Sequence, residues 1–269
     1  MLVDTHCHLT YDELAGQLPA VLGRAAGSGV TRLITVATQP DDARTALAVV
    51  RHHPQVHLAA GVHPHEAAKV GDAELSALAD LHRGRWAAAA GLADRLVAVG
   101  ETGLDFHYDF APPQRQEEVF RRQLELACEV GRPVIIHARK SEARVCEVLS
   151  EYPALRDRAV FHCFSGGPEL AARVLEMGFW LSFTGVVTFK KSAEIQAAAR
   201  AAPAERIMVE TDAPYLTPEP VRKLRPNEPA FVAHTARFLA ELRGEAFDVF
   251  ARRTTANAVR FFGLPEERE

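Results

Sequence analysis

The sequence predicts an α/β protein of the TIM-type (β/α)8 barrel class, with residues 1–269 forming a single domain. Three observations predict it. Short apolar strand-like runs alternate with longer amphipathic ones throughout, which is the pattern of a parallel sheet with crossover helices. Eight such strand–helix units fit within the 269 residues, a length that suits one barrel. Five of the apolar runs end in a residue able to hold a metal ion, and functional groups in such barrels collect at the C-terminal strand ends.

In order, the first strand covers 2–6 and leads into His8. Residues two apart on a strand point to one side, so His6 and His8 present two imidazoles to one point while Cys7 faces away into packing. A helix over 13–26 follows, then a strand at 32–37, a helix at 41–52, a strand at 56–62 and a helix at 72–90. The fourth strand, 96–101, ends in Glu101 and the fifth, 133–137, in His137, with helices over 113–130 and 141–151 behind them. The sixth, 159–162, ends in His162 before a helix at 168–176, and the seventh, 179–183, precedes one at 193–202. The eighth, 207–212, ends in Asp212, and helices over 230–242 and 246–262 complete the pattern.

With 48% hydrophobic residues the chain can bury a large core, and no linker, charge block or short repeat divides it. No basic leader with an apolar segment opens it, and the Ala-rich stretch 86–93 is too short to span a bilayer. A soluble, cytoplasmic protein with no membrane association and no obligate protein partner is expected. The four cysteines show no metal-type spacing and fit a reduced compartment; Cys163, like Cys7, adjoins a ligand candidate and should face packing. A net charge of -4 argues against a generic basic nucleic-acid-binding surface, so a polyanion needs a local site, which bound divalent cations could supply.

His6, His8, Glu101, His137, His162 and Asp212 all fall at strand ends. Clustered imidazoles and carboxylates carry a large desolvation cost without a cation, so packing alone explains six together poorly. Four histidines and two carboxylates are too many for one tetrahedral ion and about right for two divalent ions sharing a bridge. Glu101 is the natural bridge, giving one ion His6, His8, Glu101 and Asp212 and the other Glu101, His137 and His162. Asp212 would also take a proton from the attacking water. Imidazole-rich ligation favours Zn or Mn over Mg by softness.

These residues lie in segments that resemble the TatD-type metal-dependent deoxyribonucleases of the amidohydrolase superfamily. The matching segments are Asp4-Thr-His-Cys-His8, Gly61-Val-His-Pro-His65, Gly100-Glu-Thr-Gly-Leu-Asp105, Pro133-Val-Ile-Ile-His-Ala-Arg139, His162-Cys-Phe-Ser-Gly166, Thr184-Gly-Val-Val-Thr-Phe-Lys190, Glu210-Thr-Asp-Ala-Pro-Tyr-Leu216 and Asn227-Glu-Pro229. The resemblance implies a distorted TIM barrel, a divalent-metal centre on the six residues above, and nuclease activity on DNA, with Mg often sufficient. It also implies pocket roles for His63 and His65 toward a phosphate oxygen or the leaving group. Before Glu228 the chain departs from the family's Gly-Lys-Arg-Asn run, reading Arg222-Lys-Leu-Arg-Pro-Asn227.

Arg139, Lys190 and Lys191 are candidates for backbone phosphates, with a solvated charge the alternative for the two lysines. Phe106, Tyr108, Phe164, Phe189 and Tyr215 fall just beyond strand ends, where rings either stack on bases or roof the barrel. The expected chemistry is two-metal hydrolysis of phosphodiesters in DNA, with RNA a further possible substrate. Ligands at the end of a closed barrel favour a terminal nucleotide over a continuous duplex, and the resemblance points to the 3′ end of single strands. Two alternatives stand beside it. One is a D-aminoacyl-tRNA deacylase or another ester or amide hydrolase on the same centre; the other is a catalytically silent metal-binding protein.

Overall fold

A computed structural model describes residues 1–265, in which eight strands hydrogen-bond in sequence order. They are β1 (Leu2–Cys7), β2 (Val30–Ala37), β3 (Val56–Ala60), β4 (Leu96–Asp105), β5 (Val134–Arg139), β6 (Ala159–Phe161), β7 (Trp180–Phe183) and β8 (Ile207–Val209). The pairs β1–β2, β3–β4, β4–β5, β5–β6 and β7–β8 are parallel. Helices α1 (Asp12–Ala15) and α2 (Leu18–Gly27) follow β1, and α3 (Pro40–His52), α4 (Asp72–His82), α5 (Pro113–Val130), α6 (Glu142–Ser150), α7 (Pro168–Glu176) and α8 (Ala193–Ala201) each follow one of the next six strands. After β8 come α9 (Val232–Leu242) and α10 (Phe247–Phe262). No described helix is long and apolar enough to cross a membrane.

The chain forms two compact units, residues 36–162 and the segments on either side of it. In the flanking unit α10 lies against β1 and β8, and Leu2, Leu33, Ile34, Phe183 and Phe250 are among its fully buried side chains. In the central unit β4 lies between β3 and β5 with α5 against it, and Leu58, Leu78, Leu81, Phe120 and Phe161 fill the core. Strands so enclosed read as continuous apolar runs rather than alternating ones, as the sequence shows.

Several boundaries depart from expectation. The helix expected over 13–26 is two helices, because Gly16 and Gln17 interrupt it and Pro19 is tolerated only in the first turn of α2. The one expected over 72–90 ends at His82; Gly84 takes a left-handed φ of 74°, and only a single 3-10 turn, Ala87–Ala89, follows. β3 stops at Ala60, two residues early. β6 and β8 stop before His162 and Asp212, where the chain leaves extended geometry: Cys163 has φ 45° and Asp212 φ 57°. β4 instead runs four residues further than expected, to Asp105, because β5 continues beside it to Arg139, pairing Gly103 with His137 and Asp105 with Arg139.

Gly103 has no substitute in that pairing. Its φ is 146°, and a Cβ there would collide with the carbonyl oxygen of His137. Gly103→Ala should cost roughly 3 kcal/mol or more through strain and backbone displacement. For a chain of this size that lowers the thermal midpoint by about 6–12 °C. An unchanged midpoint by calorimetry would show that the strand relaxes without cost.

Candidate metal centre

In the flanking unit, β1 delivers two histidines to one side by strand alternation. His6 ends deep in the strand and His8 lies just past it, their rings 5.1 Å apart and edge-on. Asp212 completes a cluster: its Oδ1 is 3.8 Å from His6 Nε2 and 3.4 Å from His8 Nε2. Bonds of about 2.0–2.2 Å to one ion would put neighbouring ligand atoms roughly 3–3.6 Å apart, so the three donors suit one divalent cation with little movement. Tyr11 stacks on His8 at 4.7 Å and limits its rotation.

The left-handed conformation of Asp212 is fixed from both sides in sequence. Thr211 donates its amide to Asp4 Oδ1 (2.9 Å) and its hydroxyl to Asp4 Oδ2 (2.6 Å), and the Asp212 amide donates to the His6 carbonyl (2.9 Å). Burial pushes the Asp4 carboxyl up to about 8 in spite of the bonds from Thr211. Asn227 Nδ2 donates to the carbonyls of Thr211 and Tyr215, while Arg24 grips Glu228 through three contacts of 2.6–2.9 Å. The Asn227-Glu-Pro229 segment thus buttresses the turn that carries Asp212. Buried Glu210 accepts from Ser182 (2.6 Å), Thr5 (3.3 Å) and the Cys163 amide (2.6 Å).

In the central unit the β4–β5 register builds a second cluster. Glu101, Gly103 and Asp105 share one side of β4, and His137 pairs with Gly103, between the two carboxylates. Its ring spans them, with Nδ1 2.7 Å from Glu101 Oε1 and Nε2 3.0 Å from Asp105 Oδ2. His162 Nε2 lies 2.8 Å and His63 Nε2 3.5 Å from the same Glu101 oxygen. His65 Nε2 is 2.9 Å from Asp105 Oδ2.

Burial by itself would raise Glu101, but His162, His63 and His137 together hold it well below the usual carboxylate range. Burial likewise opposes the ionised form of Asp105, yet His137, His65 and the amides of Tyr108 and His107 hold it low. His137 goes up, because Asp105 and Glu101 outweigh its desolvation. His63 falls to about 4, burial outweighing Glu101. A histidine whose far nitrogen is held by a carboxylate keeps its near nitrogen aimed at a cation, and Asp105 stands in that relation to His137.

Each unit therefore brings together part of the predicted set: His6, His8 and Asp212 in one, Glu101, His137 and His162 in the other. The donors that lie within 4.8 Å of one another in the central unit are His63, Glu101 and His137, while His162 meets the same Glu101 oxygen. Arg139 is exposed, its guanidinium 4.8 Å over the Tyr108 ring, and Lys190 and Lys191 are exposed too. Of the candidate aromatic residues, Phe164 is buried edge-on against Phe183, Phe189 is covered by Arg222, and Phe106, Tyr108 and Tyr215 are exposed. Cys7 packs as expected, its thiol donating to the Ile34 carbonyl, whereas Cys163 is only half-buried beside Thr184. Three further carboxylates belong to these networks: Asp4, Asp105 and Glu210. Period-two spacing from His6 back to Asp4, from Glu101 to Asp105 and from Asp212 back to Glu210 was the available signal.

The family profile described as TatD related DNase matches residues 3–263. An uncharacterized metal-dependent hydrolase, YabD of Bacillus subtilis (strain 168), is 36% identical over 98% of this chain and 100% of its own length. A 3'-5' ssDNA/RNA exonuclease TatD from Edwardsiella piscicida is 34% identical over 98% of this chain and 100% of its own. The crystal structure of YJJV, a TatD homolog from Escherichia coli K12, matches with a TM-score of 0.90 at 30% identity, covering 98% of each chain. With the strand order described above, that match gives the chain the TIM-type (β/α)8 fold.

Proposed function

The chain belongs to the TatD family of metal-dependent hydrolases, and from that premise we propose that it is a nuclease removing nucleotides from the 3′ end of single-stranded DNA. The observation that carries this is the pair of nitrogen-and-carboxylate clusters, His6, His8 and Asp212 in one unit and His63, Glu101 and His137 in the other, the donor atoms of each lying within 4.8 Å of one another. Two ions of Mg, Mn or Zn held there would activate water and neutralise charge gathering on phosphoryl oxygens.

The residues then divide the work. His6, His8 and Asp212 would hold one ion, and Glu101, His137 and His162 would hold the other. Asp212 orients the attacking water and takes its proton on a carboxylate oxygen. Asp105, 3.0 Å from His137 Nε2, would keep that ring turned toward its ion. His63, His65 and the exposed guanidinium of Arg139 take phosphate oxygens, which suits Arg139 because its planar fork matches phosphate geometry.

The charge balance supports a single strand over a duplex: Asp plus Glu outnumber Lys plus Arg by 35 to 31, which disfavours extended grip on a duplex backbone. The name carried by the Edwardsiella piscicida relative is in keeping with this, and extends it to RNA. The test compares metal-reconstituted protein on linear single strands, circular single strands of the same sequence, blunt duplexes and 3′-blocked strands, with aminoacyl-tRNA in parallel. Linear strands with a free 3′ end should be degraded fastest. Circles cut as fast as linear strands would end the terminal-entry reading, indifference to the block would refute the polarity, and turnover of aminoacyl-tRNA alone would replace the nuclease with a deacylase.

A further inference from the structure

The loop between β4 and α5 holds aromatic rings out into solvent while pinning its own backbone. Phe106, Tyr108 and Phe110 are 39%, 43% and 59% exposed. Large exposed rings on a loose loop would ordinarily collapse onto the nearest apolar surface. Here the amides of His107 and Tyr108 donate to Asp105 Oδ1 (2.9 and 3.1 Å), and the Phe106 amide donates to the Arg139 carbonyl (2.9 Å). Gln116 Nε2 donates to the carbonyls of both Asp105 (3.0 Å) and Ala111 (2.8 Å), tying the two ends of the loop together.

The rings are also continuous with the second cluster. Phe110 lies 4.6 Å and Tyr108 5.4 Å from the ring of His65, which meets the Asp105 oxygen that holds His137. Arg139 covers Tyr108, leaving Phe110 the more open ring. The loop brings no Lys or Arg of its own and carries Asp109, so its chemistry suits a flat, uncharged group, not a phosphate. Rings fixed in advance lose little freedom on binding, which favours stacking.

We infer that this loop is a preformed platform on which the terminal nucleobase stacks, with Phe110 beneath the base and Tyr108, backed by Arg139, beside it. The inference rests on the nuclease reading for its choice of ligand. Stacking of this kind is worth roughly tenfold or more in affinity per ring removed.

The test uses metal-loaded protein and a single strand whose last residue is 2-aminopurine joined through an uncleavable methylphosphonate. Wild type and Phe110→Trp should quench the terminal fluorophore, and Phe110→Ala should bind it about tenfold more weakly. In turnover, the ratio of kcat/KM for base-bearing over abasic 3′ ends should fall about tenfold in Phe110→Ala and be kept in Phe110→Trp. Equal binding by Phe110→Ala and wild type, or no preference of wild type for a base, overturns the platform. Cleavage without quenching leaves the nuclease standing and the platform refuted; quenching without cleavage of ordinary strands does the reverse; neither signal removes both.

Discussion

Asp212→Asn is expected to lower turnover of a single-stranded oligonucleotide by at least ~10²-fold, the usual scale for loss of a general base. The change keeps the side-chain shape and one oxygen able to face His6 and His8, 3.8 and 3.4 Å away in the native chain. It also keeps the left-handed turn, which asparagine tolerates as readily as aspartate and which Asp4 and Thr211 fix through other atoms. Metal content should therefore fall far less than rate. Elemental analysis alongside single-turnover kinetics separates the two, and near-normal turnover in a fully metallated variant would remove Asp212 from proton transfer.

Glu101→Ala is expected to do more, abolishing metal binding at the second cluster, whereas His162→Ala should weaken it only in part. One Glu101 oxygen gathers His137, His162 and His63 within 3.5 Å, so its loss removes the carboxylate these three imidazoles share, and of the three only His137 keeps Asp105. Activity should fall below detection in Glu101→Ala. Metal counted per chain after dialysis at fixed free ion checks this: equal losses in the two variants would show that Glu101 is no more central to the cluster than His162.

Much of this was legible in the chain itself, and the places where it was not have a common cause. Nothing in 96–105 shows that β5 will extend to Arg139 beside it; pairing, not propensity, carries β4 to Asp105. Once β4 is cut at Glu101, Asp105 reads as a loop residue and its grip on His65 and His137 is invisible. The break between α1 and α2 was readable from Gly16 and Pro19, and the apolar run through Leu22 obscured it.

The sequence by itself determined the fold class and the kinds of donor, because both are written in local periodicity: apolar runs of strand length, His6 and His8 two apart, and acids or histidines at the ends of runs. Only the tertiary structure decided which partner holds each of them. Asp4 meets Thr211 across 207 residues, Glu210 meets Cys163 across 47, and Asp105 meets His65 across 40. Hydrogen bonds over such separations depend on strand register and on where each turn leaves the sheet, quantities that no window of sequence contains.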